Sequence, residues 1–168
     1  MRFPSSRIVL FIAGACVSAV LFFRPHAQIL EITKSNGERV LCSRLTRGEE
    51  FVLSFIHSVN RRPVYDTLRA DDKRIIIVKS RFDSFGAGMP DSSTDEGTLK
   101  VMGDGWLEWT VNRPVTDFVV RVGRVANHTL ILKGREIPLS RLAEPGSALS
   151  FRVRKVSLYC VMKGRCER

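Results

Sequence analysis

The sequence predicts an all-β domain, an antiparallel β-sandwich or partly open barrel, preceded by one N-terminal hydrophobic helix. Three observations carry this. Strand-like segments recur about every ten residues after Pro25. Turn-forming residues separate many of them. No amphipathic helical pattern of useful length appears beyond Pro25, which leaves sheet-on-sheet packing as the way to build a core.

The helix comes first. Residues 8–23 form an uncharged run of 16, preceded by Arg2 and Arg7 and closed by Arg24 and Pro25. As a helix that run rises about 24 Å, long for a cleavable signal core and short for a full membrane span. An ordinary surface helix carries a polar stripe, and this run has none. We therefore divide the chain into a signal anchor or signal peptide, residues 1–25, and one β-rich periplasmic domain, residues 26–168. Arg2 and Arg7 place the N-terminus inside. The expected location is the inner membrane, single-pass with the C-terminal domain in the periplasm. The alternative is secretion to the periplasm after cleavage following Ala27, for which Pro25 at the −3 position fits poorly. A lipidated Cys16 is disfavoured because apolar residues continue to Phe23.

The expected strands are 29–33, 39–44, 50–57, 64–69, 74–82, 99–102, 106–111, 117–122, 129–133 and 150–159. Between them stand turn signals such as Ser35-Asn36-Gly37, Asp71-Asp72, Gly103-Asp104-Gly105, Lys133-Gly134 and Pro145-Gly146. Ile75-Ile76-Ile77-Val78 is apolar on both faces and reads as a central strand. Alternation puts Leu107 and Trp109 on the core face of their strand, with Trp106 and Glu108 opposite. The stretch 83–98 is polar and irregular, a length at which loops are functional or disordered.

The net charge is +10, and removing Arg2, Arg7 and Arg24 leaves +7 on the domain. In an exported chain this points to anionic lipid or an acidic protein partner, and no nucleic acid is expected. Arg152, Arg154, Lys155, Lys163, Arg165 and Arg168 form the one dense basic cluster, read as a solvated edge strand with a tail. Among the cysteines, Cys160 and Cys166 are near enough to bridge in an oxidising compartment, with Cys42 left as a small core residue. Their spacing matches no zinc pattern, and no metal or cofactor is expected.

The segment 51–69 carries the most interesting polar residues. Alternation puts Phe51, Leu53, Phe55 and His57 on one face and Ser58 on the other, so His57 and Ser58 do not read as base and nucleophile. A hairpin with the four-residue loop 59–62 would set Asp66 opposite Phe55 and make His57 and Asp66 diagonal neighbours. Such a pair is a carboxylate-oriented imidazole, able to act as a base or to hold a ligand, or a structural histidine satisfied by an acid. A loop longer by one residue would separate them. The second feature is Phe85-Gly86-Ala87-Gly88-Met89-Pro90. Its glycines permit positive φ and close backbone approach, but it lacks the ending of a phosphate loop.

The blocks Phe55-Ile56-His57-Ser58-Val59 with Pro63-Val64, and Arg81-Phe82-Asp83-Ser84-Phe85-Gly86-Ala87-Gly88-Met89-Pro90, resemble a bacterial family known as domain of unknown function eighteen-fifty. Asp104-Gly105-Trp106 and residues 134–140 support the likeness, which covers about residues 29–155. Where the family pattern tends to carry an acid after His-Ser-Val, this chain has Asn60. The resemblance implies a small exported protein associated with TRAP transporters of the TAXI type, which import organic solutes on an ion gradient. It implies no established activity.

The leading expectation is a non-enzymatic accessory domain, membrane-bound through its N-terminal helix. It would contact a TRAP-type permease or its solute-binding protein. The binding candidates are His57, Ser58, Arg62, Asp66, Ser84, Phe85, Gly86, Gly88 and Pro90, with no residue assigned a catalytic role. The alternative is a periplasmic small-molecule binding domain for organic anions. A hydrolase using His57 and Asp66 ranks third, since Ser58 or Ser84 could serve it only through a bend in the strand or loop.

Overall fold

In a computed structural model, residues 6–162 are described. Helix α1 (Ser6–Phe23) is followed by β1 (Pro25–Lys34), β2 (Arg39–Leu45), β3 (Glu50–Ile56), β4 (Pro63–Asp71), β5 (Arg74–Phe82) and β6 (Thr98–Val101). Then come β7 (Leu107–Val115), β8 (Asp117–Arg121), β9 (Thr129–Leu132), β10 (Arg135–Pro138) and β11 (Ala148–Ser157). A single helical turn, α2 (Leu158–Cys160), ends the described chain. The strands form a four-stranded sheet, β2-β1-β11-β8, and a seven-stranded sheet, β10-β9-β3-β4-β5-β7-β6. All pairings are antiparallel, and the two sheets do not close into a barrel.

Alternation builds the core. Leu30 and Ile32 of β1 and Leu149, Phe151 and Val153 of β11 face Phe51, Leu53, Leu68, Ile75, Leu130 and Leu132 across the sandwich. The Phe118 and Phe151 rings stack at 4.8 Å between neighbouring strands. β1 is also buried on its other face, where Ile29 packs with Cys42 and Val156. There Glu31 meets Arg154 at 3.0 Å and Arg39 at 3.5 Å, so the buried acid is paired on both sides.

The seven-stranded sheet outreaches the four-stranded one. Part of its inner face therefore carries a separate apolar cluster, Val64, Phe82 and Leu107, with Phe55, Met89, Leu99 and Trp109 packed against it. Met89 brings the 83–97 segment onto this cluster.

Several expectations change. β10 was not anticipated. Lys133 and Gly134 both take positive φ (52° and 72°), the two-residue turn that matches strand twist, and they fold Arg135–Pro138 back on β9. The basic strand β11 is interior to its sheet, between β1 and β8, rather than an edge. Its outward charges are neutralised by pairing: Arg152 with Asp117 at 2.8 Å, and Arg154 with Glu31. At its far end Lys155 pairs with Asp72. Lys163, Arg165 and Arg168 lie outside the described residues. Cys160 carries a free thiol rather than bridging, and Cys42 is buried in the core as expected but is disulfide-bonded; Cys166 lies outside the described residues.

The fold has two distinct ends. α1 leads directly into Pro25, which pairs with Ser157, and the Phe22 and Phe23 rings lie 6.1 and 5.4 Å from Tyr159. The β4–β5 turn is at the same end: Gln28 Nε2 donates to the Asp72 carbonyl at 2.8 Å. β3 starts there and runs away from α1, so the β3–β4 and β5–β6 connections lie at the opposite end. Helix α1 has 18 residues and rises about 27 Å, slightly under the hydrocarbon thickness. Among the described residues no helix is long and apolar enough to cross a membrane.

Candidate functional site

The β3–β4 connection is six residues, not four. Ile56 pairs with Pro63, Phe55 with Val64 and Leu53 with Asp66. This register sits two residues from the expected one. His57 leaves the strand, and Asp66 moves down to face the core beside Leu53. The expected His57–Asp66 pair therefore does not form. A two-residue slip keeps every side chain on its face but changes its neighbour.

His57 instead starts a compact turn. Its N–H donates to the Arg62 carbonyl at 2.9 Å, its carbonyl accepts from Arg61 N–H at 3.1 Å, and its Nδ1 accepts from Val59 N–H at 3.3 Å. Arg61 takes φ 58° to close the turn. Ser58 is exposed. Among the described residues no serine hydroxyl is hydrogen-bonded to a histidine, so the geometry a Ser–His nucleophile requires is not assembled.

The two signature blocks meet. Asn60 Nδ2 donates to the Ser84 carbonyl at 3.2 Å and the Phe85 carbonyl at 3.4 Å, and its Oδ1 accepts from Arg62 N–H at 3.1 Å. Arg62 forms a two-pronged ion pair with Asp83, Nε to Oδ1 at 3.0 Å and Nη2 to Oδ2. Hydrogen bonding and charge from Arg62 hold the Asp83 carboxyl below its ordinary range and raise the guanidinium in turn. Gly86 is placed so that a Cβ would lie 3.0 Å from Asn60 Nδ2 and 3.4 Å from His57 Cε1. Only a residue without a side chain admits both neighbours undisturbed. Gly88, at φ 81°, completes the turn that lets Met89 N–H reach the Gly86 carbonyl at 3.0 Å. Ser84 Oγ donates to the adjacent Phe85 carbonyl at 3.3 Å, and Pro90 is half-buried.

Exposed apolar side chains around the clasp include Val59 (64% exposed), Phe85 (52%) and Val125 (60%). The Val125 segment is tied in by Ile56 N–H donating to the Ala126 carbonyl at 2.7 Å. Arg61, Arg62 and Arg124 are exposed around them.

Asp66 belongs to a second place, the seam between the two apolar clusters. Its Oδ1 accepts from Ser80 Oγ at 2.5 Å across the β4–β5 ladder. Burial holds its carboxyl above the ordinary value, and the Ser80 bond offsets only part of that. It lines a cavity of about 330 Å³ with Leu53, Phe55, Leu68, Ile77, Phe118 and His128. His128 stacks obliquely 5.6 Å from Phe55, its Nδ1 accepts from Gly123 N–H at 3.2 Å, and burial lowers its pKa.

Of the nine expected binding residues, His57, Arg62, Ser84, Phe85, Gly86, Gly88 and Pro90 share the clasped end. Ser58 is on its exposed rim, and Asp66 is in the seam. Asn60, Asp83, Ser80 and His128 were not among the candidates. The alternation of Leu130 and Leu132 already puts His128 on the inward face.

A family model described as "Domain of unknown function (DUF1850)" matches residues 51–139, just over half the chain. The chain belongs to this family. The match spans β3 through β10, and so contains both clasped loops and most of the seam. No curated protein and no solved structure matches the chain.

Proposed function

We propose that this DUF1850 protein is a non-enzymatic, membrane-tethered periplasmic binding domain. In this reading α1 is the tether, and the clasped loops are the face presented to a protein partner. The association implied by the family resemblance makes that partner a TRAP-type permease of the TAXI class or its solute-binding protein.

The observation that carries the reading is the meeting of the two signature blocks in one braced, partly apolar surface at the end away from α1. Asn60, the Arg62–Asp83 pair and the bare Gly86 fix its shape in advance, which lowers the ordering cost of binding. Placing that face a strand length from the tether points it away from a bilayer and toward a protein.

The test is a mild-detergent pull-down of the tagged full-length protein, with partners identified by mass spectrometry, for wild type and Phe85→Ser. Recovery of a permease or solute-binding protein with wild type, and its loss with Phe85→Ser at an unchanged melting temperature, is expected. Equal recovery with both proteins, or no transporter component with either, would overturn the reading.

A further inference from the structure

We propose that the seam cavity is a binding site for a small organic cation, an ammonium carried on a compact apolar or aromatic body, with Asp66 as its counter-ion. This site is separate from the loop face and does not depend on its role.

The cavity has the size of a small-molecule site, about 330 Å³. Its walls are Leu53, Phe55, Leu68, Ile77, Phe118 and Val120, from both sheets. It is reached from solvent beside β8, the edge strand of the smaller sheet, where Val119 is 63% exposed. Asp66 is the one acidic side chain in the lining. Its only side-chain hydrogen bond among the described residues is the neutral Ser80 hydroxyl, and it has no basic partner there. Other partly buried acids, Glu31, Asp83 and Glu108, each meet a lysine or arginine. A carboxylate in an apolar cleft without a cation is costly and is pushed toward its protonated form, and a cation arriving with a ligand would favour the charged form.

The other polar groups around the cavity agree. Burial lowers the His128 pKa, which favours the neutral imidazole over a competing positive charge. Arg121 lines the rim, but its guanidinium is exposed and donates to the Gly146 carbonyl at 2.9 Å. Phe55 and Phe118 put aromatic rings in the lining, and aromatic rings attract cations. An organic anion would meet the Asp66 charge in low dielectric, so the same geometry selects against it.

The test uses the full-length protein in detergent and three isosteric probes, benzylammonium, benzyl alcohol and benzoate, by calorimetric titration. Benzylammonium should bind at least about tenfold more tightly than benzyl alcohol, and benzoate should not bind. Asp66→Asn should abolish the preference for the cation while the melting temperature stays the same or rises, because a buried charge has been removed. With wild type, cation affinity should fall as pH drops through the raised Asp66 value, approaching about tenfold per pH unit below it. His128→Gln should keep that dependence, which assigns it to Asp66 rather than to a newly charged imidazole. Equal binding of benzoate, or Asp66→Asn binding benzylammonium as wild type does, would overturn the proposal. A flat wild-type pH profile would overturn it even if the variants failed to fold.

Discussion

Replacing Asn60 by aspartate exchanges one NH₂ group for an oxygen and leaves the shape of the side chain unchanged. The bond from Arg62 N–H survives, because the side chain still offers an acceptor. The two bonds to the Ser84 and Phe85 carbonyls, at 3.2 and 3.4 Å, do not, because an ionised carboxylate has no donor. One is of ordinary length and one is long, so their combined net worth is about 1–1.5 kcal/mol. The new charge also faces two carbonyl oxygens from a half-buried position, while Arg62 and Arg61 nearby offset part of that repulsion. We expect Asn60→Asp to cost about 1–2 kcal/mol at pH 7. For a chain of this size that is roughly 2–8 °C in melting temperature, read by circular dichroism.

Two features separate this mechanism from generic damage. The loss should be local, so limited proteolysis should cut the 83–97 segment faster while the rest of the domain stays protected. It should also shrink in acid. Carbonyl oxygens around the introduced carboxyl favour its neutral form and raise its pKa, and the protonated form can donate again. Stability relative to wild type should therefore recover as pH falls from the raised folded value to the ordinary unfolded value near pH 4. A variant as stable as wild type at pH 7, with the 83–97 segment equally protected, would refute the bridging role of Asn60.

The remaining predictions concern the same framework. Arg62→Ala should lower stability at neutral pH and have no effect in acid, since Arg62 depresses the Asp83 pKa. That contribution is present above the unfolded carboxylate value near pH 4 and disappears as pH falls through the lower folded value; parallel melting curves from pH 7 to pH 2 would read it. Gly88→Ala should cost about 1–2 kcal/mol, because a Cβ is disfavoured at φ 81° although nothing crowds the position; chemical denaturation would measure it. Leu130→Ala removes a fully buried side chain from the centre of the main cluster and should cost about 2–5 kcal/mol, with a lowered denaturation midpoint at unchanged slope.

Face and neighbour were not equally legible in the sequence. Alternation of Val64, Asp66, Leu68 and Ala70 assigns Asp66 to the inner face, and the structure keeps it there. What Asp66 touches depends on the length of the β3–β4 turn, and no local pattern fixes that length. The His57 turn uses a non-glycine residue, Arg61, at positive φ, where sequence rules place glycine or asparagine. The six-residue connection was hidden for that reason. The same arithmetic hid β10, whose turn begins with Lys133 at positive φ rather than the customary asparagine or aspartate. The clasp was legible in part. Both blocks stood out in the chain, but their meeting needed the β4–β5 register, which brings Val64 opposite Phe82 and so carries residues 57–62 to residues 83–86. The seam was not legible. His128 reaches Asp66's cavity from 62 positions along the chain, through the pairing of β9 with β3, and strand order is a property of the whole sheet. An inward acid between Val64 and Leu68, and an inward histidine before Leu130, were each readable as oddities of their own strand. Only the stacking of β9, β3 and β4 makes them two polar groups in one apolar cleft.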